Sequence, residues 1–261
     1  MLPLPTLFIS HGAPDLALHP LPARDFLATV ATRFARPRAI VVASAHYDPG
    51  PIAHVTVAAA PRTIHDFGGF DPSLYAMHYR APGAPELAHQ MVALLQANDI
   101  PALVDPEWGF DHGAWSPLML MYPAADIPVI EISIHLGASP AYHVALGRAL
   151  CTLREEGVLV LGSGAITHNL RQVAWPASNT EIPAWASSFA DWVGARLAAR
   201  DEAALLDYRQ SAPFARDSHP TDDHFVPLLF ALGAAGPAWR AEQLHTSVTY
   251  GSLRMDAYAF H

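Results

Sequence analysis

Residues 39–47 read Ala39-Ile40-Val41-Val42-Ala43-Ser44-Ala45-His46-Tyr47. From Ala39 to Ala43 the run is apolar without alternation, and Ile40, Val41 and Val42 are β-branched. A strand with one wet face alternates apolar and polar residues, so an unbroken run marks a strand covered on both faces, as in parallel sheets. Working outward, the strands expected are Thr6–Ser10, Ala39–Ala45, His54–Ala58, Ala102–Val104, Val129–Ile134 and Val158–Gly162. Helical patterns separate them at Leu21–Arg36, Pro85–Asn98, Ser116–Met121, Pro140–Glu156 and Pro183–Arg200. Thr221 reads as the N-cap of a further helix at Asp222–Leu232, with Asp222 and Asp223 complementing its dipole. The tail, Leu244–Phe260, reads as a strand or hairpin. The fold class expected is therefore α/β: a single domain with a central mixed β-sheet flanked by helices on both faces.

The 261 residues include neither a repeat nor a Ser/Gly linker, so residues 1–261 are taken as one domain. All 15 basic residues are arginine, against 24 acidic ones, for a formal net charge of −9. That balance argues against nucleic acid and an anionic membrane as partners. Without lysine there is no Schiff-base nucleophile and no P-loop. No apolar run reaches the roughly 20 residues that span a bilayer. Met1–Ser10 is apolar but is broken by Pro3 and Pro5 and lacks a basic lead, so it reads as a first strand and not a signal peptide. The lone Cys151 excludes an internal disulfide and a thiolate cluster; a cytoplasmic location and a buried, structural thiol are expected.

Histidine, also at 15, is as common as arginine. Three strands end in a histidine or in a short loop that carries one: Phe8-Ile9-Ser10-His11-Gly12, Val42-Ala43-Ser44-Ala45-His46 and Leu161-Gly162-Ser163-Gly164-Ala165-Ile166-Thr167-His168. In open α/β sheets the ligand crevice lies beyond the carboxyl ends of the strands, so these imidazoles are expected to converge. Two more groups, Asp111-His112-Gly113 and His219-Pro220-Thr221-Asp222-Asp223-His224, are candidates to join them. Several imidazoles without thiolates suit iron(II), zinc or copper. The aromatic, glycine-rich Thr63–Phe70 reads either as a pocket wall, which nominates His65, Asp66 and Phe67 for substrate binding, or as an aromatic-packed loop. Competing motifs fail: Thr167 stands where a dinucleotide loop needs glycine, and Leu161 where a nucleophile elbow does.

Taken together, Phe8–Pro14, Val41–Tyr47, Thr63–Phe70, Trp108–Trp115, Gly162–Leu170 and Pro220–Leu229 resemble the class III extradiol ring-cleavage dioxygenases, specifically the 4,5-DOPA extradiol dioxygenase-like branch. The resemblance implies His11, His46 and His224 as ligands of one mononuclear divalent metal, Fe(2+) for activity, with Zn(2+) able to occupy the same site in purified protein. It implies His168 as the acid/base, near enough to be a fourth ligand, and His112 as a second histidine facing substrate. His219, Asp222 and Asp223 are rival third ligands; His224 is preferred because Pro220–Leu228 fits the family's Pro-Thr-x-x-His-aromatic-x-Pro-Leu pattern. The partners implied are a small aromatic diol and O2, the reaction being ring cleavage next to, not between, the hydroxyls. Phe67, Phe70, Trp108 and Trp115 are expected to wall a flat pocket or to be core. A zinc-dependent hydrolase on the same histidines and a non-catalytic binding protein of the same fold are the alternatives. The sequence does not fix an oligomeric state.

Overall fold

The computed structural model describes residues 3–261, so Met1 and Leu2 of the apolar N-terminal run lie outside the described residues. The strands are β1 (Thr6–Ser10), β2 (Ala39–Ser44), β3 (Ala53–Thr56), β4 (Ala102–Asp105), β5 (Val129–Ile132), β6 (Val158–Gly164), β7 (Ala241–His245), β8 (Val248–Thr249), β9 (Leu253–Arg254) and β10 (Ala257–Phe260). Eight of them form one mixed sheet in the order β4-β3-β5-β2-β6-β1-β10-β7, while β8 and β9 make a small separate hairpin. The centre, β5-β2-β6-β1, is parallel. β3 joins β5 antiparallel, and β10 and then β7 extend the other edge antiparallel.

The helices are α1 (Pro22–Val30), α2 (Pro85–Ala97), α3 (His112–Met121), α4 (Pro140–Ala149), α5 (Ala184–Ala199), α6 (Glu202–Leu206), α7 (Tyr208–Ser211), α8 (Ala215–Ser218) and α9 (Val226–Ala234). Alternate residues of the central strands go to opposite cores, as a two-faced strand requires. Ile40 and Val42 of β2, with Leu7 and Ile9 of β1, pack against Leu27 of α1 and Trp115 and Leu118 of α3. Val41 and Ala43 face the other way, onto Met91 of α2, Leu146 of α4 and Phe230 of α9. Phe8 meets Phe189 of α5 and Leu228 of α9 on that same side. The backbone of α9 lies so near β6 that a Cβ at Gly162 would stand 2.0 Å from the Pro227 carbonyl oxygen, so any side chain there forces the layers apart.

Three expectations need correction. The helix predicted at Asp222–Leu232 starts at Val226, and Thr221 is not its cap. The Asp222 carboxylate is taken by the Tyr208 hydroxyl and the Arg209 guanidinium, and the Thr221 hydroxyl donates to Asp223 at 2.8 Å, which holds residues 221–225 in a turn. Leu21–Arg36 and Pro140–Glu156 each break into an α-helix and a 3-10 turn, the second where Arg154 reaches away to donate to the carbonyls of Leu4 and Ala235. Cys151 sits on that 3-10 turn and is half-buried, not enclosed.

A histidine outside the candidate ligand set carries a stability prediction. His143 of α4 is wholly buried; its Nδ1 bonds the Ser139 carbonyl and its Nε2 accepts the His135 N–H, each at 3.2 Å, a pattern only neutral imidazole satisfies. Burial, opposed by the Ser139 carbonyl and aided by His135 with Asp222 opposing, lowers it to about 4. The folded state therefore binds the proton later than the unfolded chain, and stability falls as pH drops from about 6.5 towards 4, by about 3 kcal/mol from this residue. Urea midpoints at pH 7 and pH 5 should differ less in His143→Asn than in the parent; an unchanged difference would remove His143 from the acid response.

Candidate active site

β2, β6 and β1 lie side by side and end level, Ser44 opposite Ser163 and Ser10 opposite Gly164. Just past these ends the backbone is still pinned, since His11 N–H donates to the Gly164 carbonyl and Ala45 N–H to the Ser163 carbonyl, both at 3.0 Å. His11 and His46 are thus delivered to one spot by the ends of β1 and β2, the two strands that flank β6. Their Nε2 atoms are 3.2 Å apart. His224 comes from the turn before α9, with its ring centroid 5.2 Å from that of His11 and 4.9 Å from that of His46. One ligand atom from each of the three lies within 4.8 Å of the others.

The supporting contacts fix which nitrogens face inward. The Ser163 hydroxyl donates to the Gly113 carbonyl, so its oxygen is left to accept from His11 Nδ1–H at 3.0 Å, and the His11 Nε2 lone pair points at the cluster. His46 Nδ1 lies 3.5 Å from an Asp66 oxygen. Among the described residues neither ring nitrogen of buried His224 finds a hydrogen-bond partner, although Asp223 lies 3.4 Å from Nδ1. Two nitrogen acceptors facing each other at 3.2 Å, beside a buried imidazole with unmet nitrogens, are unfavourable until a cation lies between them. Donors about 2.0–2.1 Å from a metal stand about 3 Å apart, so the three histidines fit a divalent metal. Burial, reinforced by the neighbouring imidazoles, depresses His11 and His224 well below the ordinary histidine value, which keeps them neutral and ready to ligate.

Two further histidines stand against this cluster. His168 stacks on His224 with centroids 3.3 Å apart and planes 9° from parallel. Burial, partly opposed by Asp223, lowers His168 to about 4, so its ring is unprotonated and offers a lone pair. His112, first residue of α3, has its ring 4.0 Å from that of His46. Asp66 grips it twice, accepting the backbone N–H and the ring Nδ1–H, both at 2.9 Å. Beneath both, the Asp111 side chain caps α3 through Ala114 N–H and accepts the Ser44 hydroxyl at 2.6 Å. Glu131 accepts Asp111 N–H at 3.0 Å and is pushed well above the usual carboxylate range, first by burial and then by the charge of Asp111. Gly113 must lack a side chain, because a Cβ there would fall 2.4 Å from the Ser44 hydroxyl and 3.0 Å from the His46 ring.

The rings of His46, His112 and His168 face a cavity of about 270 Å³ bounded by Asp66, Phe67, Phe70, Leu170 and Leu253. The structure therefore brings together His11, His46, His224, His168, His112, Asp66 and Phe67. His65 does not join them: its Nε2 bonds the Met77 carbonyl at 3.0 Å, and it is absent from the cavity wall. His219, the rival ligand, is turned to the Ile166 carbonyl at 2.8 Å. Trp115 is core, donating to the Ile64 carbonyl, and Trp108 stacks on Tyr47. Ser163, Asp111 and Glu131 were not singled out by the sequence, though a glutamate inside the apolar Val129–Ile134 run was a visible signal. Nothing in the sequence marked Leu253, which reaches the cavity from β9.

Comparison with known proteins agrees with this geometry. A family model, "Catalytic LigB subunit of aromatic ring-opening dioxygenase", matches residues 21–261. The protein named 4,5-DOPA dioxygenase extradiol from Escherichia coli (strain K12) is 40% identical, over 97% of this chain and 93% of its own. Its namesake from Beta vulgaris is 39% identical, over 98% of this chain and 96% of its own. The crystal structure of an uncharacterized protein from Escherichia coli K12 superposes with a TM-score of 0.79 at 35% identity, covering 98% of this chain and 99% of that one.

Proposed function

Because the chain belongs to the family of the catalytic LigB subunit of aromatic ring-opening dioxygenases, we propose that it is a non-haem iron(II) extradiol dioxygenase acting on a catechol-type diol. The observation that carries the reading is the convergence of His11, His46 and His224 within 4.8 Å, with the unprotonated His168 stacked against them. His11, His46 and His224 are the residues that would hold the metal, and Zn(2+) would fit the same three nitrogens. A ferrous ion held there would supply redox-active Lewis-acid chemistry able to couple a diol to O2.

The chain's own residues do the rest. His168 takes a phenolic proton on its free ring nitrogen and returns it later in the reaction. His112, with Nδ1 bound to Asp66, is left with Nε2 to orient the diol or O2. Phe67 and Phe70 offer flat apolar walls to an aromatic ring, and Leu170 and Leu253 add apolar surface beside them. Among the described residues no helix is long and apolar enough to cross a membrane; a lone thiol suits the reducing cytoplasm, where we place the enzyme.

Anaerobic loading with ferrous iron, followed by oxygen uptake and visible absorbance across a panel of catechols, tests the reading. Iron- and diol-dependent oxygen consumption is expected; none with any diol, or oxygen-independent ester hydrolysis by the zinc form, would overturn it. A finer prediction concerns Ser163, whose hydroxyl sets the His11 tautomer. Ser163→Ala should weaken iron binding about 10- to 100-fold, measured by competition with a chromophoric chelator. Unaltered affinity would mean that His11 is oriented by other means.

A further inference from the structure

Every ionisable side chain on the wall of the 270 Å³ cavity belongs to the histidine cluster or to Asp66, which is bound to His112. The rest of the wall is apolar: Ala13, Pro14, Phe67, Phe70, Leu170 and Leu253. Ala13, Phe70, Leu170 and Leu253 also line a second cavity of about 70 Å³, which Val173, Trp175 and Tyr250 complete, so the two adjoin. Tyr250 stands edge-on to Trp175 with ring centroids 4.7 Å apart, and its hydroxyl is occupied by Asp15 at 2.7 Å. Leu170 and Trp175, at 63% and 66% exposed, leave large apolar surface open to solvent at this end. No arginine lines either cavity, and the chain has no lysine. Arg254, next to Leu253, is turned away to Asp256 and Asp191.

A closed apolar space of about 150 Å³ holds benzene, so a catechol ring leaves roughly 100 Å³ of the first cavity and all of the second. A charged substituent placed there would gain no cation in exchange for the water displaced from it, while an apolar one would cover Leu170 and Trp175. Resting on the ring-opening reading above, we propose that the preferred substrate is a catechol carrying an uncharged aryl or alkyl substituent, seated in the annexe formed by Leu170, Trp175 and Tyr250. An amino-acid or carboxylate side chain is disfavoured.

The iron-loaded enzyme is assayed by oxygen uptake with catechol, 4-phenylcatechol, DOPA and protocatechuate. The kcat/KM for 4-phenylcatechol should exceed those for DOPA and protocatechuate about tenfold or more. Trp175→Ala should lower the ratio of kcat/KM for 4-phenylcatechol to that for catechol about tenfold. In parallel, calorimetry on the metal-free protein should show 4-phenylcatechol binding more tightly than DOPA, and this preference should shrink in Trp175→Ala. Equal or better turnover of DOPA or protocatechuate, or an unchanged ratio in the variant, overturns the proposal. If calorimetry shows the preference but nothing is turned over, the apolar annexe stands and the ring-opening reading falls.

Discussion

Alanine in place of His11, His46 or His224 should strip the protein of its metal and of its oxygen consumption together. Each imidazole brings a nitrogen to one spot, and two remaining donors make an incomplete site. Loss of an outer partner alone typically costs 10- to 100-fold in metal affinity, so loss of a direct donor should cost at least about 100-fold. Metal content after dialysis, read by elemental analysis, checks this for each variant. The fold should survive, because all three rings lie beyond the ends of the strands and belong to none of the three hydrophobic core clusters. Full metal occupancy in His224→Ala would return the third position to Asp223, 3.4 Å away, the only other candidate from that turn facing the cluster.

His168→Ala should behave oppositely, keeping the metal while kcat falls about 10²- to 10⁴-fold, the usual worth of a positioned acid/base. The separation is expected because His168 lies over the face of the His224 ring, 3.3 Å between centroids, and is not one of the three imidazoles His11, His46 and His224 whose nitrogens converge within 4.8 Å. Added imidazole should restore part of the rate to the variant without changing its iron content. Metal loss equal to that in His11→Ala would make His168 a ligand and leave His112 as the remaining candidate for proton transfer.

The parallel centre was legible in the sequence because strands buried on both faces leave unbroken β-branched runs, and Thr6–Ser10 is placed to the residue. The histidines that follow β1, β2 and β6 were legible for the same reason: parallel neighbours in register must release their next residues at one edge. What the sequence hid depends on partners distant along the chain. Thr221, Asp222 and Asp223 make a plausible helix start locally, but Tyr208 and Arg209 claim Asp222 and move the start to Val226. His65 has the aromatic neighbours of a pocket residue, and only the fold brings the Met77 carbonyl to its Nε2, behind the Phe67 that lines the cavity. Leu253 carries no local mark, because its place on the wall is set by the hairpin of β8 and β9.

β1, the strand that presents His11, lies between β6 and β10, with Phe8 opposite both Gly162 and Tyr258. Its two neighbours are therefore made some 150 and 250 residues after it. On the ribosome, β1 must wait through most of synthesis with Leu7, Phe8 and Ile9 unsheltered, and pairings this remote are slow to close. On the proposed reading, loading of a metal at His11 is consequently a late event in the life of each molecule, one that would follow translation of β10 and the closing of these remote pairings.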